Sequence, residues 1–417
     1  MTAIAKTDQQ DSGQKVPDGW RQVRLAEVCR VVSGSTPSSG VADNWDGDIV
    51  WITPTDLGKH KNVSIAGSFR RITKLGYDSC GTELVPPGSV VLSSRAPIGH
   101  LGIARVPLCT NQGCKSLVPG LEVDSQFLFF VIKKSIPILQ ALGSGATFAE
   151  ISKTQVEGFP IPLPPFEEQK RIAAILNEQM AAVERARAAA EAQLEAAKAL
   201  SAANLHAVFS SPEAQRWPRK RLGELAIKGP DNGAFKRRHQ FGQGVPIVNV
   251  SDLFRSLAVD LNSVERVETS DDEIQSYGIA SGDLFFCRSS LKREGIGWCC
   301  YVNEVLEPAI FDCHVMRVRL DQQKVLPEYV ALYWAHPRVR EAVIGNSRTA
   351  TMTTMNQGDL AGVDIPLPPL QEQRRAAAHL LGQMAAAEQT RTALEAQLAT
   401  INALPAALLR RAFNGEL

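Results

Sequence analysis

Two stretches decide how this chain folds: Phe159-Pro-Ile-Pro-Leu-Pro-Pro165-Phe-Glu-Glu-Gln169-Lys-Arg171 and Val363-Asp-Ile-Pro-Leu-Pro-Pro369-Leu-Gln-Glu-Gln373-Arg-Arg375. They stand roughly 200 residues apart, a period too long for a solenoid unit and therefore the mark of two related domains. Each stretch leads into a run almost free of helix breakers. From 167 to 209 the chain has no glycine, and no proline until Pro212; from 371 to 413 only Gly382 and Pro405 interrupt. Both runs read as long helices of roughly 60 Å at about 1.5 Å per residue. Pro165 suits a first-turn position, where a missing N–H has no partner to lose. Glu167 and Glu168 then sit at the positive end of the helix dipole.

The first helix carries a thin stripe, Leu176, Val183, Ala190 and Ala197, advancing by sevens, with Met180 and Leu194 on the neighbouring row. An Ala-rich seam of this kind lets another helix approach closely. A single amphipathic helix this long cannot bury its stripe against one small domain. The expectation is that the two helices pair with each other, antiparallel, with docking on another subunit as the alternative. The residues assigned to pairing or docking are Leu163, Pro164, Pro165, Glu168, Gln169, Leu176, Val183 and Leu194 in the first copy. In the second they are Leu367, Pro368, Pro369, Glu372, Gln373, Leu380, Leu394 and Leu398.

Upstream of each phrase the copies keep matching in order. Trp20-Arg-Gln-Val-Arg-Leu25-Ala-Glu27-Val28 answers Trp217-Pro-Arg-Lys-Arg-Leu222-Gly-Glu224-Leu225. Ile49-Val-Trp-Ile52-Thr-Pro-Thr-Asp56-Leu57 answers Pro246-Ile-Val-Asn-Val250-Ser-Asp252-Leu253, and Pro87-Gly-Ser-Val-Val-Leu92-Ser-Ser-Arg95 answers Ser281-Gly-Asp-Leu-Phe-Phe286-Cys-Arg288-Ser289. Short β-branched and aromatic runs between Gly/Pro/Ser turns predict a twisted sheet. Helical spacing predicts one helix over 126–142 and another over 328–344. The expected fold is α+β: two similar small mixed α/β domains, each followed by a long helix, the helices paired as an antiparallel coiled coil with pseudo-twofold symmetry. The boundaries are a disordered tail over 1–16, a domain over 17–165, a helix over 166–210, a second domain over 211–369 and a helix over 370–417. The copies differ most around 34–48 and 58–80, and around 228–245 and 254–280. That is what two readers of different words would show, although loops also drift freely.

Composition narrows the function. Hydrophobic residues make up 44% and charged residues 21%, ordinary for a folded soluble protein. No apolar run approaches the length of about 18 residues that a membrane span needs. The opening residues lack the apolar stretch of a signal peptide, so the expected compartment is the cytoplasm, with no membrane partner. None of the eight cysteines forms a Cys-x-x-Cys pair; buried thiols are expected, and no metal site, with Cys313-His314 and Cys109-x4-Cys114 the nearest approaches. The net charge is +1, but 217–240 holds seven Lys/Arg against two acids and 51–74 five against one. Such patches suit phosphate contacts, and equally suit solvated loops. No catalytic residues are expected. The chain has no Asn/Asp-Pro-Pro-Tyr/Phe tetrapeptide and no phosphate loop; Gly143-Ser-Gly145 follows a helix and reads as a C-cap. Asp271-Asp272-Glu273 reads as a solvated loop or a helix start.

At this point the chain resembles the specificity subunit of Type I restriction–modification enzymes. The resemblance covers nearly all of it. It rests on the doubled Leu-Pro-Pro-x-x-Glu-Gln phrase, the openings at Arg24 and Arg221, Gly34-Ser-Thr-Pro37, and the closing Ala412-Phe413-Asn-Gly415-Glu416-Leu417. Where the first copy has Gly34-Ser-Thr-Pro37, the second offers Gly229-Pro-Asp-Asn-Gly233. The resemblance implies a non-catalytic subunit with two target-recognition domains, each reading one half of a split double-stranded DNA site, and helices that act as spacer and dock two methyltransferase subunits. Two restriction/translocase subunits would complete the complex. This chain would bind no cofactor, while the complex would need S-adenosylmethionine, and ATP and Mg for restriction.

For DNA contact the candidates in the first copy are Ser35, Thr36, Lys59, Arg70, Arg71, Ser94, Arg95, Asn111, Gln112, Lys115, Thr147 and Lys153. In the second they are Lys236, Arg237, Arg238, Asn249, Arg288, Ser289, Lys292, Arg293, His314, Arg348 and Thr354. Lys and Arg hold phosphates; Arg reads guanine, Asn and Gln read adenine, and Ser or Thr is less selective. Arg95 and Arg288 stand out because both leave the end of a matched strand. Two other readings stay open: a protein-binding scaffold, which would lack salt-dependent DNA binding, and a methyltransferase of unusual motif, which would transfer methyl groups alone.

Overall fold

The computed structural model describes residues 16–59, 63–143, 149–345, 347–349 and 353–417. Of the candidate residues, Thr147 lies outside the described residues, as do Gly145 and nearly all of the 1–16 tail, and so does the side chain of Arg348. The chain divides into two compact units, 1–189 with 397–417, and 190–396.

In the first unit, a five-stranded sheet runs in the order Cys29–Ser33, Cys114–Pro119, Val90–Ser93, Leu101–Ala104, Ser64–Ile65. Its middle strand, Val90–Ser93, is buried at every residue, which is why it reads as a continuous apolar run rather than an alternating one. A three-stranded sheet pairs Trp45–Ile52 antiparallel with Arg70–Ile72 and parallel with Leu108–Thr110. The opening strand Arg21–Arg24 closes on Pro160–Leu163, the strand inside the repeated phrase.

The second unit repeats these three sheets strand for strand. Its five-stranded order is Ala226–Asn232, Val315–Leu320, Asp283–Cys287, Cys299–Val302, Ala258–Val259; Asp283–Cys287 is again buried throughout. Its three-stranded sheet pairs Phe241–Val248 antiparallel with Arg266–Val267 and parallel with Ile310–Phe311, and Arg219–Arg221 closes on Asp364–Pro366. Even the irregularity repeats: Trp45 and Ile49 both oppose Ile72, as Phe241 and Val245 both oppose Val267.

One helix expectation needs correction. The first domain helix is continuous over Ser125–Leu142, started by Asp124 accepting from the Gln126 and Phe127 amides. Its counterpart, predicted as one helix over 328–344, is two: Pro327–Trp334 and Pro337–Gly345. Pro337 has no N–H for the Tyr333 carbonyl and disfavours helical backbone at the residue before it. Gly143 does stand at the helix C-cap, but in extended rather than left-handed backbone, φ −62°.

The long helices are Phe166–Phe209 and Leu370–Phe413. Pro165 and Pro369 stand just before them rather than in the first turn. Their carbonyls take the first helical hydrogen bonds, from Gln169 N and Gln373 N at 3.0 Å each. Each unit packs the start of one long helix with the end of the other. In the first unit Ile172, Ala173 and Leu176 share a core with Leu409, Ala412 and Phe413. In the second, Leu205 and Phe209 share one with Ala376, Ala377 and Leu380. Start against end is antiparallel pairing. Val183, Ala190, Leu194 and Ala197 on the predicted stripe are all buried, whereas Leu394 and Leu398 are half-buried.

Candidate nucleic-acid interface

The glutamine of the repeated phrase has a specific task. Gln169 is fully buried; its Oε1 accepts from Asp124 N, and its Nε2 donates to the Glu122 and Pro164 carbonyls, all at 2.9 Å. Gln373 does the same with Leu326 N at 2.9 Å and the Lys324 and Pro368 carbonyls at 3.1 and 2.8 Å. The sequence assigned both side chains to pairing or docking. They instead lock the helix start to the loop before the domain helix, and neither presents a surface to a partner. Pro164, Leu163 and Pro368 are buried with them, and Leu367 is half-buried. Glu168 and Glu372 each pair with an arginine one turn on, Arg171 and Arg375.

The strand ends of each five-stranded sheet form one edge. In the first unit Ser94 N donates to the Gly113 carbonyl at 2.8 Å and the Ser94 carbonyl accepts from Ile151 N at 3.0 Å. In the second, Arg288 N donates to the His314 carbonyl at 2.8 Å and the Arg288 carbonyl accepts from Met355 N at 3.0 Å. Asn111 Oδ1 accepts from Gly113 N at 2.9 Å as Asp312 Oδ1 accepts from His314 N at 2.8 Å. Thr53 N donates to Asp56 at 2.8 Å as Asn249 N donates to Asp252 at 2.9 Å.

These bonds set a one-to-one correspondence of positions: Ser94 with Arg288, Arg95 with Ser289, Asn111 with Asp312, Gly113 with His314, Glu150 with Thr354. The frame is common, and the side chains on it differ. They also settle the counterpart of Gly34-Ser-Thr-Pro37, which is Gly233-Ala-Phe-Lys236 rather than the stretch beginning at Gly229. A Cβ on Gly34 would lie 2.2 Å from the Thr110 and Asn111 carbonyls, and one on Gly233 2.1 and 2.5 Å from those of Phe311 and Asp312. Only glycine lets the backbone pass there.

The first edge gathers Ser35, Thr36, Ser94, Arg95, Asn111, Gln112 and Lys115. Ser35 N donates to the Thr110 carbonyl at 2.9 Å, and Thr36 hydrogen-bonds to Gln112. Lys115 is only 5% exposed; its ammonium donates to Ser94 Oγ at 3.3 Å and the Gln112 carbonyl at 3.4 Å. Burial pushes that ammonium below its usual range, opposed by the negative Glu150 beside it. Glu150, absent from the sequence candidates, lies 3.5 Å from Arg95 and 3.7 Å from Lys115. Its signal was the N-cap two residues on: Ser152 and Asn356 start matched short helices, Lys153–Glu157 and Gln357–Ala361, and align Glu150 with Thr354.

Other candidates lie on other elements. Lys59 sits 5.0 Å over the Phe69 ring, and Arg70 3.6 Å over Trp45, with Arg71 exposed beside it on the three-stranded sheet. Lys153 pairs with Glu157 at 3.5 Å on its short helix.

The second edge carries an apolar cleft. Asn249, Ser289, Ser290, Lys292, Asp312 and His314 line a cleft of about 800 Å³ together with Phe254, Leu291 and Trp298, three residues the sequence reading passed over. Ser289 pairs with Thr354, and Thr354 with Arg348, in a small antiparallel sheet. Arg288 donates to the Cys313 carbonyl at 3.0 Å, and Asn249 to Glu265 at 3.2 Å. Arg237, Arg238, Lys292, Arg293 and His314 are exposed.

Lys236 is not available to a phosphate. Its side chain is 1% exposed and its ammonium donates to the Glu268 carbonyl and to Glu273, each at 2.7 Å. Glu273 belongs to a helix started by Ser270, so Asp271-Asp272-Glu273 is a helix start. The donor atoms of Asp312, Cys313 and His314 lie within 4.8 Å of one another, but the Arg288 guanidinium on the Cys313 carbonyl opposes a cation there. All eight cysteines are free thiols, and burial pushes those of Cys29, Cys109 and Cys114 up to about 12. Among the described residues no helix is long and apolar enough to cross a membrane.

Residues 17–195 match the family model of the Type I restriction modification DNA specificity domain. The MjaIX specificity subunit of Methanocaldococcus jannaschii is 36% identical over 165 residues, 39% of this chain and 38% of that protein. The EcoKI specificity subunit of Escherichia coli is 25% identical over 97% of this chain and 91% of its own length. Among solved structures, the HsdS subunit from Thermoanaerobacter tengcongensis superposes with a TM-score of 0.64 at 20% identity, covering 98% of this chain and all of that one. A chain from a structure on assembly and conformational transition of the type I R-M system reaches 0.73 at 21% identity over 97% of this chain and all of its own. With the doubled frame and its differing edges, these likenesses make residues 17–195 a match to the Type I restriction modification DNA specificity domain, and the chain as a whole similar to the specificity subunits of Type I restriction enzymes.

Proposed function

We propose that this chain reads a two-part DNA target, each unit contacting one short half-site, and that its paired long helices set the gap between the words. The observation that carries the reading is the common frame of backbone hydrogen bonds with different side chains at matched edge positions. Two domains joined through long helices suit half-sites about one helical turn, roughly 34–36 Å, apart. Exposed Arg71, Lys292 and Arg293 would hold phosphates and fix register, and the strand-end side chains would meet base edges.

The chain acts without a catalytic site of its own. Two methyltransferase subunits, which bring S-adenosylmethionine, dock on it, and two restriction/translocase subunits using ATP and Mg join them. The sequence supports this division of labour, since it holds neither the methyltransferase tetrapeptide nor a phosphate loop.

The test is methylome sequencing of a host expressing the chain with its methyltransferase partner, against the partner alone. A new methyladenine motif of two words and a fixed gap is expected. Exchanging 20–160 for the equivalent part of a relative should change one word only, and adding one heptad to each long helix should change only the gap. A folded, co-purifying complex that methylates no such motif would refute the reading.

A further inference from the structure

We infer that Arg95 and Glu150 together read one G·C base pair in the half-site of the first unit, Arg95 donating to guanine and Glu150 accepting from the cytosine amino group. This rests on the proposed DNA-reading role of the chain.

A carboxylate is a poor choice for a DNA-facing edge, because phosphates repel it. Yet Glu150 stands on such an edge, 39% exposed at its side chain, directly across an antiparallel bridge from Arg95, which is 34% exposed. The base pair itself supplies a reason. In the major groove a G·C pair presents two acceptors on guanine, N7 and O6, followed by a donor, the cytosine N4 amino group. Two donors followed by an acceptor complement that pattern, which is what a guanidinium beside a carboxylate offers. An A·T pair presents acceptor, donor, acceptor, and the Arg95–Glu150 order does not fit it.

The site is also prepared. Glu150 Oε2 faces Arg95 at 3.5 Å, while Oε1 faces the buried Lys115 ammonium at 3.7 Å. Lys115 is itself held by Ser94 Oγ and the Gln112 carbonyl. When Arg95 turns to guanine, Lys115 remains beside Glu150 as its countercharge. A carboxylate left without a cation would be costly to desolvate against DNA. At the matched positions of the second unit stand Ser289 and Thr354, hydroxyls that donate or accept and carry no charge. A G·C requirement set by this Arg–Glu arrangement therefore falls on the first word alone.

The experiment uses the full chain in complex with its methyltransferase subunits. The motif is first read from the methylome, and the word belonging to the first unit is identified by the 20–160 exchange. Competition binding is then measured with duplexes carrying every single base-pair change in the motif, for wild type, Arg95→Ala and Glu150→Gln. Both variants should lose about tenfold of discrimination at the same G·C pair and keep it elsewhere. Intact discrimination in the second word reports that each variant is folded. A first word with no G·C pair overturns the inference while leaving the two-word reading standing. Losses at different pairs, an even loss across the motif, or no loss overturn it as well, the pair then being structural. A wild-type complex with no motif removes the parent reading and this inference with it.

Discussion

Phe127 meets Phe413 edge to face, with ring centroids 5.6 Å apart, and the second unit repeats the relationship between Tyr329 and Phe209 at the same 5.6 Å. In each case an aromatic residue in the first turn of a domain helix receives the last residue of a long helix that began in the other half of the sequence. Lys134 lies 5.3 Å over the Phe413 ring where His336 lies beside Phe209, so the surroundings are matched as well. The relationship explains why each long helix ends in phenylalanine: the ring is the plug that fastens a helix end to a domain.

Truncating that plug should therefore be severe. Phe413→Ala is expected to cost the first unit about 3–5 kcal/mol, and Phe209→Ala the second unit a similar amount, from lost burial and the cavity left behind. Chemical denaturation followed by probes in each unit checks this. A loss of under about 1 kcal/mol in both variants would show that the helix ends are held elsewhere.

Replacing Gln169 or Gln373 should act differently. Each alanine variant removes three hydrogen bonds and leaves an amide and carbonyls without partners, an expected loss of about 2–3 kcal/mol. Hydrogen exchange should show the change first at the freed amides, Asp124 N for Gln169→Ala and Leu326 N for Gln373→Ala. Unchanged protection at those amides would refute the locking role.

His336 makes stability of the second unit depend on pH. Burial, then the neighbouring His206 and Arg338, push its pKa below the ordinary 6.5, and Ser210 completes its surroundings at 3.2 Å. Between 6.5 and that lowered value the unfolded chain holds a proton that the folded chain refuses. Stability is thus fully present above 6.5 and falls as pH drops through the window. Thermal unfolding of wild type and His336→Gln at pH values either side of about 6.5 should show a shallower acid decline in the variant. Equal declines would assign the acid sensitivity to other groups.

Cations at the interface should sort by burial. Removing an exposed one, by Arg71→Ala or Lys292→Ala, should weaken DNA binding by the complex and reduce the slope of log K against log salt by about 0.9 each, if each holds one phosphate. Lys236→Ala should leave the slope unchanged while destabilising the fold, because it strips Glu273 and the Glu268 carbonyl of their partner. A reduced slope for Lys236→Ala would contradict its buried placement.

The division between what sequence determined and what only the tertiary structure decided tracks the range of the interactions. The duplication, the two long helices and their apolar stripe were legible because proline, glycine and heptad spacing act within a few residues. Local signals still failed at one point: 328–344 has helical spacing, and Pro337 divides it. The roles of the polar side chains were not legible. Gln169 sits in a motif that reads as a docking phrase, yet its partners are the backbone of Glu122 and Asp124. Lys236 lies in the most basic stretch of the chain, yet Glu273 takes it into the core. Glu150 becomes part of a charged cluster only because a strand end brings Arg95 and Lys115 to it. Periodicity records which face of an element is apolar; which distant charge neutralises a given lysine, and which carbonyl a glycine must pass, is set when strands far apart in sequence come into register.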